Sequence, residues 1–325
     1  MAFPFVNKTF QDNADVDSIA KALCVYQYQQ NKVYKDWCDH LRIDVSKIES
    51  VQEIPFLPIS FFKTNKLLCE DENYDLLFES SGTTQSTKSK HYIKDAHLYI
   101  KSFTKGFDFF YGDVKEWCII GLLPSYLQQK NSSLVKMVDE LIKLSNHKQS
   151  GFYLDEYEKL HKVLLQLEKK NQKTLLIGVT YALLDFAEQF PMQLSSTIIM
   201  ETGGMKGRRK EITRNEVHVI LKTQFQTQQI HSEYGMTELL SQAYSKADGK
   251  FYCPNWMKVF VRDEDDPLLV KTKGKGALNI VDLANAYSCA FIATDDVGEV
   301  FEDGSFSVAG RLDGSDIRGC SLMVV

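Results

Sequence analysis

The residues best suited to chemistry lie in a few short polar stretches, and the densest is Phe78-Glu79-Ser80-Ser81-Gly82-Thr83-Thr84-Gln85-Ser86-Thr87-Lys88-Ser89-Lys90. Eight of its residues are hydroxylic or glycine, and its two lysines lie near the end. Hydroxyls and backbone N–H groups in such a loop can wrap a phosphate, with Lys88 supplying charge. The same composition also suits a flexible Ser/Thr linker. The Gly-Lys-Ser/Thr of a P-loop is absent. A second stretch, Glu201-Thr202-Gly203-Gly204-Met205-Lys206-Gly207-Arg208, follows an apolar run. Its glycines let backbone approach a flat ligand, or serve only a tight strand-to-helix turn. A third is His231-Ser232-Glu233-Tyr234-Gly235-Met236-Thr237-Glu238. Here Tyr234 can stack on a base, Thr237 can donate to a phosphate oxygen, and Glu238 can hold Mg²⁺, a hard cation that prefers oxygen ligands. His231 fits a structural histidine better than a catalyst. Thr294-Asp295-Asp296 places one carboxylate to accept from ribose hydroxyls. Gly310-Arg311-Leu312-Asp313 and Asp316-Ile317-Arg318-Gly319-Cys320 follow.

Elements must position these groups. Leu76-Leu77-Phe78 and His91-Tyr92-Ile93 make the Ser/Thr stretch a loop between two strands. Residues 11–40 are helical by spacing, and Ile54–Lys63 is an extended connector because Pro55 and Pro58 break a helix. Asp95 caps a helix to about Phe110. Strands at Trp117–Leu123, Thr174–Thr180 and Thr197–Glu201 alternate with helices from Ser132 or Ser133, over Leu154–Lys170 and over Tyr181–Phe190. Thr213-x-x-Glu216 is a capping box for a helix to Gln224. Residues 229–238 read as strand, turn, then helix. The alternation predicts an α/β fold with a doubly wound, mostly parallel sheet. From about Phe251, short strands replace helices and predict a smaller β-rich lobe. The expected domains are an α/β body over 1–250 and a β-rich lobe over 251–325.

Composition narrows the classes. The chain has 325 residues, 44% hydrophobic and 25% charged, with net charge -5. That balance gives nucleic acid no favourable field. No apolar run is long enough to span a membrane, and the start lacks the pattern of a signal peptide. Seven scattered cysteines without a Cys-x-x-Cys pair read as reduced cytoplasmic thiols.

The order of the motifs says more than any one of them. Ser-Ser-Gly-Thr-Thr at 80–84, Tyr-Gly-Met-Thr-Glu at 234–238, Thr-Asp-Asp at 294–296 and Gly-Arg-Leu-Asp at 310–313 resemble the successive motifs of adenylate-forming acyl-activating enzymes. Within that superfamily the chain is most similar to the LuxE-type acyl-protein synthetases of bacterial luminescence fatty acid reductase. The likeness rests on Pro-Phe-Leu-Pro-Ile-Ser-Phe-Phe at 55–62, Leu-Leu-Pro-Ser-Tyr-Leu at 122–127, Glu201–Arg208 and Asp316–Cys320, and runs from about residue 52 onward.

The resemblance implies that a carboxylic acid, fatty in kind, reacts with ATP and Mg²⁺ to give acyl-AMP and then passes to a thiol. It places Ser81, Thr83, Thr84 and Lys88 around the ATP phosphates. Gly203, Gly204 and Tyr234 frame adenine, Thr237 contacts the α-phosphate, and Glu238 binds Mg²⁺. Asp296 holds ribose, and Arg311 reaches ribose or phosphate. Cys320 is the implied acyl acceptor, with a reductase subunit as partner. The alternative for Cys320 is a buried thiol on a terminal strand. Gln85, Thr87 and Ser89 depart from the superfamily's usual Gly, Pro and Gly. The small mobile domain that carries a catalytic lysine in longer relatives is expected to be absent, which leaves Lys88 and Lys206 as candidates. Two other functions fit the same motifs: an acyl- or aryl-CoA ligase of the phenylacetate-activating type, and a non-catalytic carrier subunit.

Overall fold

The computed structural model describes residues 3–70, 73–81, 87–124, 131–203, 212–263 and 265–312. They form two compact units. One holds the chain up to Gly106, Met236–Gln242, and the chain from Tyr252 to the end of the described residues. The other holds Phe107–Gly235 and Ala243–Phe251.

The second of these is the α/β unit. Parallel strands Gly151–Phe152, Cys118–Leu122, Thr174–Gly178, Thr197–Glu201 and His231–Tyr234 lie side by side in that order. Ala243–Ser245 pairs antiparallel with the last. Every residue of Cys118–Leu122 and Thr174–Gly178 is buried, as expected of strands covered on both faces. Leu122, Gly178 and Glu201 stand level across the sheet, so the strand ends from which ligand-binding turns leave are in register. The crossover helices carry the signals read in the sequence. The Ser132 side chain caps Ser133–Ser145, and Met137, Val138 and Leu141 turn inward. Thr213 and Glu216 form the capping box of Arg214–Phe225.

The other unit is built on an antiparallel sheet. Its strands run Val270–Lys271, Met257–Arg262, Gly274–Asp282, Phe291–Val300 and Phe306–Arg311 in spatial order. Leu57–Pro58 adds a short parallel strand against Ile292 and Ala293. Burial alternates along Phe291–Val300, the period-two signature of a pleated strand. Gly298 is obligatory here. A Cβ on it would meet the Ser307 carbonyl oxygen at 1.9 Å, so only glycine lets the last strand approach at the bulge beside Asp296.

Three expectations change. The helical stretch 11–40 is two helices, Val16–Gln30 and Lys32–His40. Asn31 separates them because its side chain accepts from Val33 and Tyr34 N–H at 3.0 and 3.2 Å, which starts a new helix. The connector after Pro58 ends in one helical turn, Phe61–Thr64. No helix directly follows Tyr234. The N–H groups of Leu240 and Ser241 donate instead to the buried Asp282 carboxylate at 2.8 and 3.0 Å. That acceptor lies 41 and 42 positions away, where local sequence cannot announce it.

Candidate active site

In the sheet-based unit, the stem of the Ser/Thr loop is an antiparallel hairpin. Leu76–Glu79 pairs with Lys90–Ile93, placing Phe78 opposite His91 and Glu79 opposite Lys90. Ser80 N–H donates to the Ser89 carbonyl at 3.1 Å, and Ser89 N–H to Ser80 Oγ at 3.0 Å. These bonds hold the loop's two ends together. Ser81 is half-buried and Lys88 exposed. Thr83 and Thr84 lie outside the described residues, as do Gly204, Lys206 and Cys320.

Thr237 and Glu238 belong to the same unit, and the hairpin stem reaches them. His91 Nδ1 sits 2.8 Å from the Thr237 carbonyl oxygen. His91 Nε2 sits 3.1 Å from Asn285 Oδ1, and Asn285 Nδ2 donates to the Glu238 carbonyl at 2.9 Å. Glu238 and His91 are both 0% exposed. Asn285 is itself held from the N-terminal helix. Gln27 Nε2 donates to the carbonyls of Asn285 and Ala286, its Oε1 accepts from Ala290 N–H, and Asn31 Nδ2 donates to the Ser288 carbonyl. Burial pushes His91 below the ordinary imidazole range, opposed by the Thr237 bond, the Glu238 charge and the Asn285 bond.

A third cluster in this unit lies on neighbouring strands. Asp296 stands opposite Arg311. Arg311 Nη2 donates to Asp295 at 2.7 Å, and its Nε lies 3.5 Å from Asp296. One guanidinium therefore reaches both carboxylates, although successive residues of a strand face opposite ways. Asp296 is the more buried of the two. Arg262 braces the same strand, donating to the Thr294 carbonyl and, at 2.8 Å, to Asn279 Oδ1.

The α/β unit holds a different acid. Glu201 ends its strand fully buried, and its carboxylate accepts from Gly203 N–H at 2.7 Å. Arg214 Nε lies 3.4 Å away and His218 Nε2 3.7 Å away. Burial alone would raise its pKa. The His218 bond, the Arg214 and His218 charges and Ser232 outweigh that and bring it to about 2. Gly203 has φ +79°, left-handed backbone that favours glycine, so the turn read at this position is fixed both by residue type and by Glu201. Tyr234 is buried with its ring centroid 5.8 Å from Phe251. His231 Nδ1 meets Tyr111 Oη at 3.1 Å, and burial lowers its pKa to about 4, as suits a neutral structural imidazole.

Among the described residues, no three His, Cys, Asp or Glu side chains cluster in a way that could hold a metal by themselves. A lone carboxylate such as Glu238 fits Mg²⁺, which usually takes one or two carboxylates and completes its shell with phosphate oxygens and water. No helix of the described residues is long and apolar enough to cross a membrane.

The sequence model of the acyl-protein synthetase family LuxE matches residues 11–325. The chain belongs to this family. It is accordingly an acid-activating ligase of the AMP-forming kind, and the family implies use of ATP. The long-chain-fatty-acid--luciferin-component ligase of Aliivibrio fischeri is 24% identical over 343 residues, covering 97% of this chain and 89% of the relative. The Vibrio harveyi protein of the same description is 24% identical over 332 residues, covering 94% and 85%. Among solved structures, a malonyl-CoA ligase in a ternary product complex with methylmalonyl-CoA and AMP superposes with a TM-score of 0.50 at 15% identity. That superposition covers 86% of this chain and 60% of the other, and it bears out the adenylate-forming fold. Sequence reasoning missed the His91–Asn285 pair that reaches the Thr237–Glu238 main chain, and it missed the part of Glu201 in fixing its own turn. The Glu201-x-Gly203 spacing carried a signal, whereas the 194-residue separation of His91 from Asn285 carried none.

Proposed function

We propose that this chain activates a fatty acid with ATP and Mg²⁺ and hands the acyl group to a protein thiol. The acid's carboxylate oxygen bonds to the α-phosphorus while the bond from that phosphorus to the bridging oxygen breaks, and pyrophosphate leaves. A thiolate then attacks the acyl carbon, and AMP leaves with the carboxylate oxygen. Within this reading Ser81, Thr83, Thr84 and Lys88 donate to the phosphates, and Gly203, Gly204 and Tyr234 frame adenine. Asp296, with Arg311 beside it, holds ribose. Thr237 donates to the α-phosphate, and Glu238 holds Mg²⁺, which neutralises phosphate charge when bound. The observation that supports this most directly is the buried link from the stem of the Ser/Thr loop, through His91 and Asn285, to the main chain of Thr237 and Glu238.

Cys320 is the proposed acceptor, with a reductase subunit as the next station. Chemistry among the other cysteines favours it. Burial raises the thiols of Cys24 and Cys118 to about 11 and those of Cys38 and Cys289 to about 12, and pushes Cys69 and Cys253 up as well. Such thiols hold almost no thiolate near neutral pH. The described cysteines are unbridged, as a reducing cytoplasm keeps them, and we place the protein there. The test is incubation with a labelled long-chain fatty acid, ATP and Mg²⁺, followed by mass spectrometry. A hydroxylamine-labile adduct on Cys320, lost in Cys320→Ser, is expected. Full self-acylation by that variant, or turnover only with added CoA, contradicts the assignment.

A further inference from the structure

The mechanism above gives His91 no role, yet the ring is fully buried and both of its nitrogens face oxygen atoms. Nδ1 is 2.8 Å from the Thr237 carbonyl, which can only accept. Nε2 is 3.1 Å from Asn285 Oδ1. The Asn285 orientation is fixed, because its Nδ2 donates to the carbonyls of Glu238 and Cys289 at 2.9 and 2.8 Å. The two successive carbonyls of Thr237 and Glu238 are therefore gripped by one side-chain pair. That pair is anchored at both ends. His91 stands in the hairpin stem opposite Phe78, with its ring nearly perpendicular to that of Phe62 and the centroids 5.4 Å apart. Asn285 stands in the segment that Gln27 holds. A buried carbonyl that loses its donor must find another or shift toward water.

We propose that His91, working with Asn285, is a positioning residue that fixes the Thr237–Glu238 main chain in the geometry that takes Mg·ATP and ties it to the stem of the phosphate loop. This rests on the nucleotide reading of Glu238 given above. His91 touches neither phosphate nor metal. With Asn285 it holds the two peptide groups that flank the Glu238 side chain, the first of which follows Thr237, so its removal alters where those side chains point. Residues that orient metal ligands in this way typically influence metal affinity about 10- to 100-fold.

Two substitutions separate the ring's nitrogens. Asparagine's amide nitrogen falls near the position of Nδ1 and keeps the bond to Thr237. Glutamine's falls near Nε2, keeps the contact with Asn285 and gives up Thr237. Binding of ATP is measured by calorimetry across a Mg²⁺ series for the wild type, His91→Asn, His91→Gln and Asn285→Ala. Circular dichroism and Tm are recorded for each. His91→Gln is expected to raise the Mg²⁺ midpoint about tenfold while binding of metal-free ATP stays within twofold of wild type. His91→Asn is expected to restore most of the midpoint. A purely structural role lowers Tm without moving the midpoint of the folded protein, and that result overturns the proposal. So does an equal shift in the Asn and Gln variants.

Failure of the nucleotide reading looks different, since the wild type then binds no Mg·ATP at all. In that event the ring itself decides. Histidine-labelled ¹⁵N spectra of the full chain should show a slowly exchanging Nδ1–H that disappears in His91→Gln. Its absence in the wild type contradicts the clamp. If a variant does not fold, the same spectrum of wild type carries the test.

Discussion

Glu201 and Glu238 are both buried acids at the ends of signature motifs, and different groups hold them. The Glu201 carboxylate is engaged by Gly203 N–H, by Arg214 and by His218. Its charge is part of the architecture, and it shapes the glycine turn that follows. Glu238 is positioned through its main chain, by the grip of Asn285 on its own carbonyl and of His91 on that of Thr237. Deleting the charge at 201 removes supports from the fold. Deleting it at 238 leaves both main-chain bonds in place. The two acids are similarly buried, and the sequence position of an acid inside a motif does not say which groups hold it.

The sharpest way to break this contrast is Glu238→Gln. The variant keeps shape and loses charge, and we expect acyl-AMP formation to fall about a thousandfold, the scale of losing a central electrostatic contact, with Tm within a degree or two of wild type. A comparable loss of Tm would make Glu238 a second Glu201. The same substitution at Glu201 should do the reverse. Removing the Glu201 charge from beside Arg214 and His218 costs on the order of 3 kcal/mol of stability, read by urea unfolding. The pH dependence follows the same logic. Glu201 has its folded pKa near 2, below the ordinary 4.5, so its stabilisation is complete above pH 4.5 and is lost as pH falls toward 2. Glu201→Gln should flatten that part of the stability curve, and an unchanged acid limb would contradict the ion cluster.

How much of this was legible beforehand depends on distance along the chain. Thr197–Glu201 is the strand read from its sequence, because a short run with adjacent isoleucines, bounded by Ser and Gly, has few other solutions. The Thr213–Glu216 capping box is equally local and equally present. The helix expected after Tyr234 failed because Asp282 captures the N–H groups of Leu240 and Ser241 from far along the chain. The His91–Asn285 pair was invisible for the same reason. Motif order announced the family, whereas the partners that orient the motifs appear only in three dimensions.

The smallest effect in the series concerns the neighbouring carboxylates. Asp296→Ala should weaken ATP binding about tenfold, the order of one charge-assisted hydrogen bond lost. Asp295→Ala should weaken it less, through loosening of Arg311, which both acids touch. If the order is reversed in calorimetric titrations, the ribose contact belongs to Asp295.

Acid-dependent exchange between ATP and labelled pyrophosphate tests the central claim most directly, because it reports formation of acyl-AMP before any thiol is involved. With the purified 325-residue chain, Mg²⁺ and a series of straight-chain fatty acids, exchange should appear only when an acid is added and should persist in Cys320→Ser. Exchange that is absent with every acid, while ATP still binds, would contradict the assignment of this chain as an acid-activating enzyme.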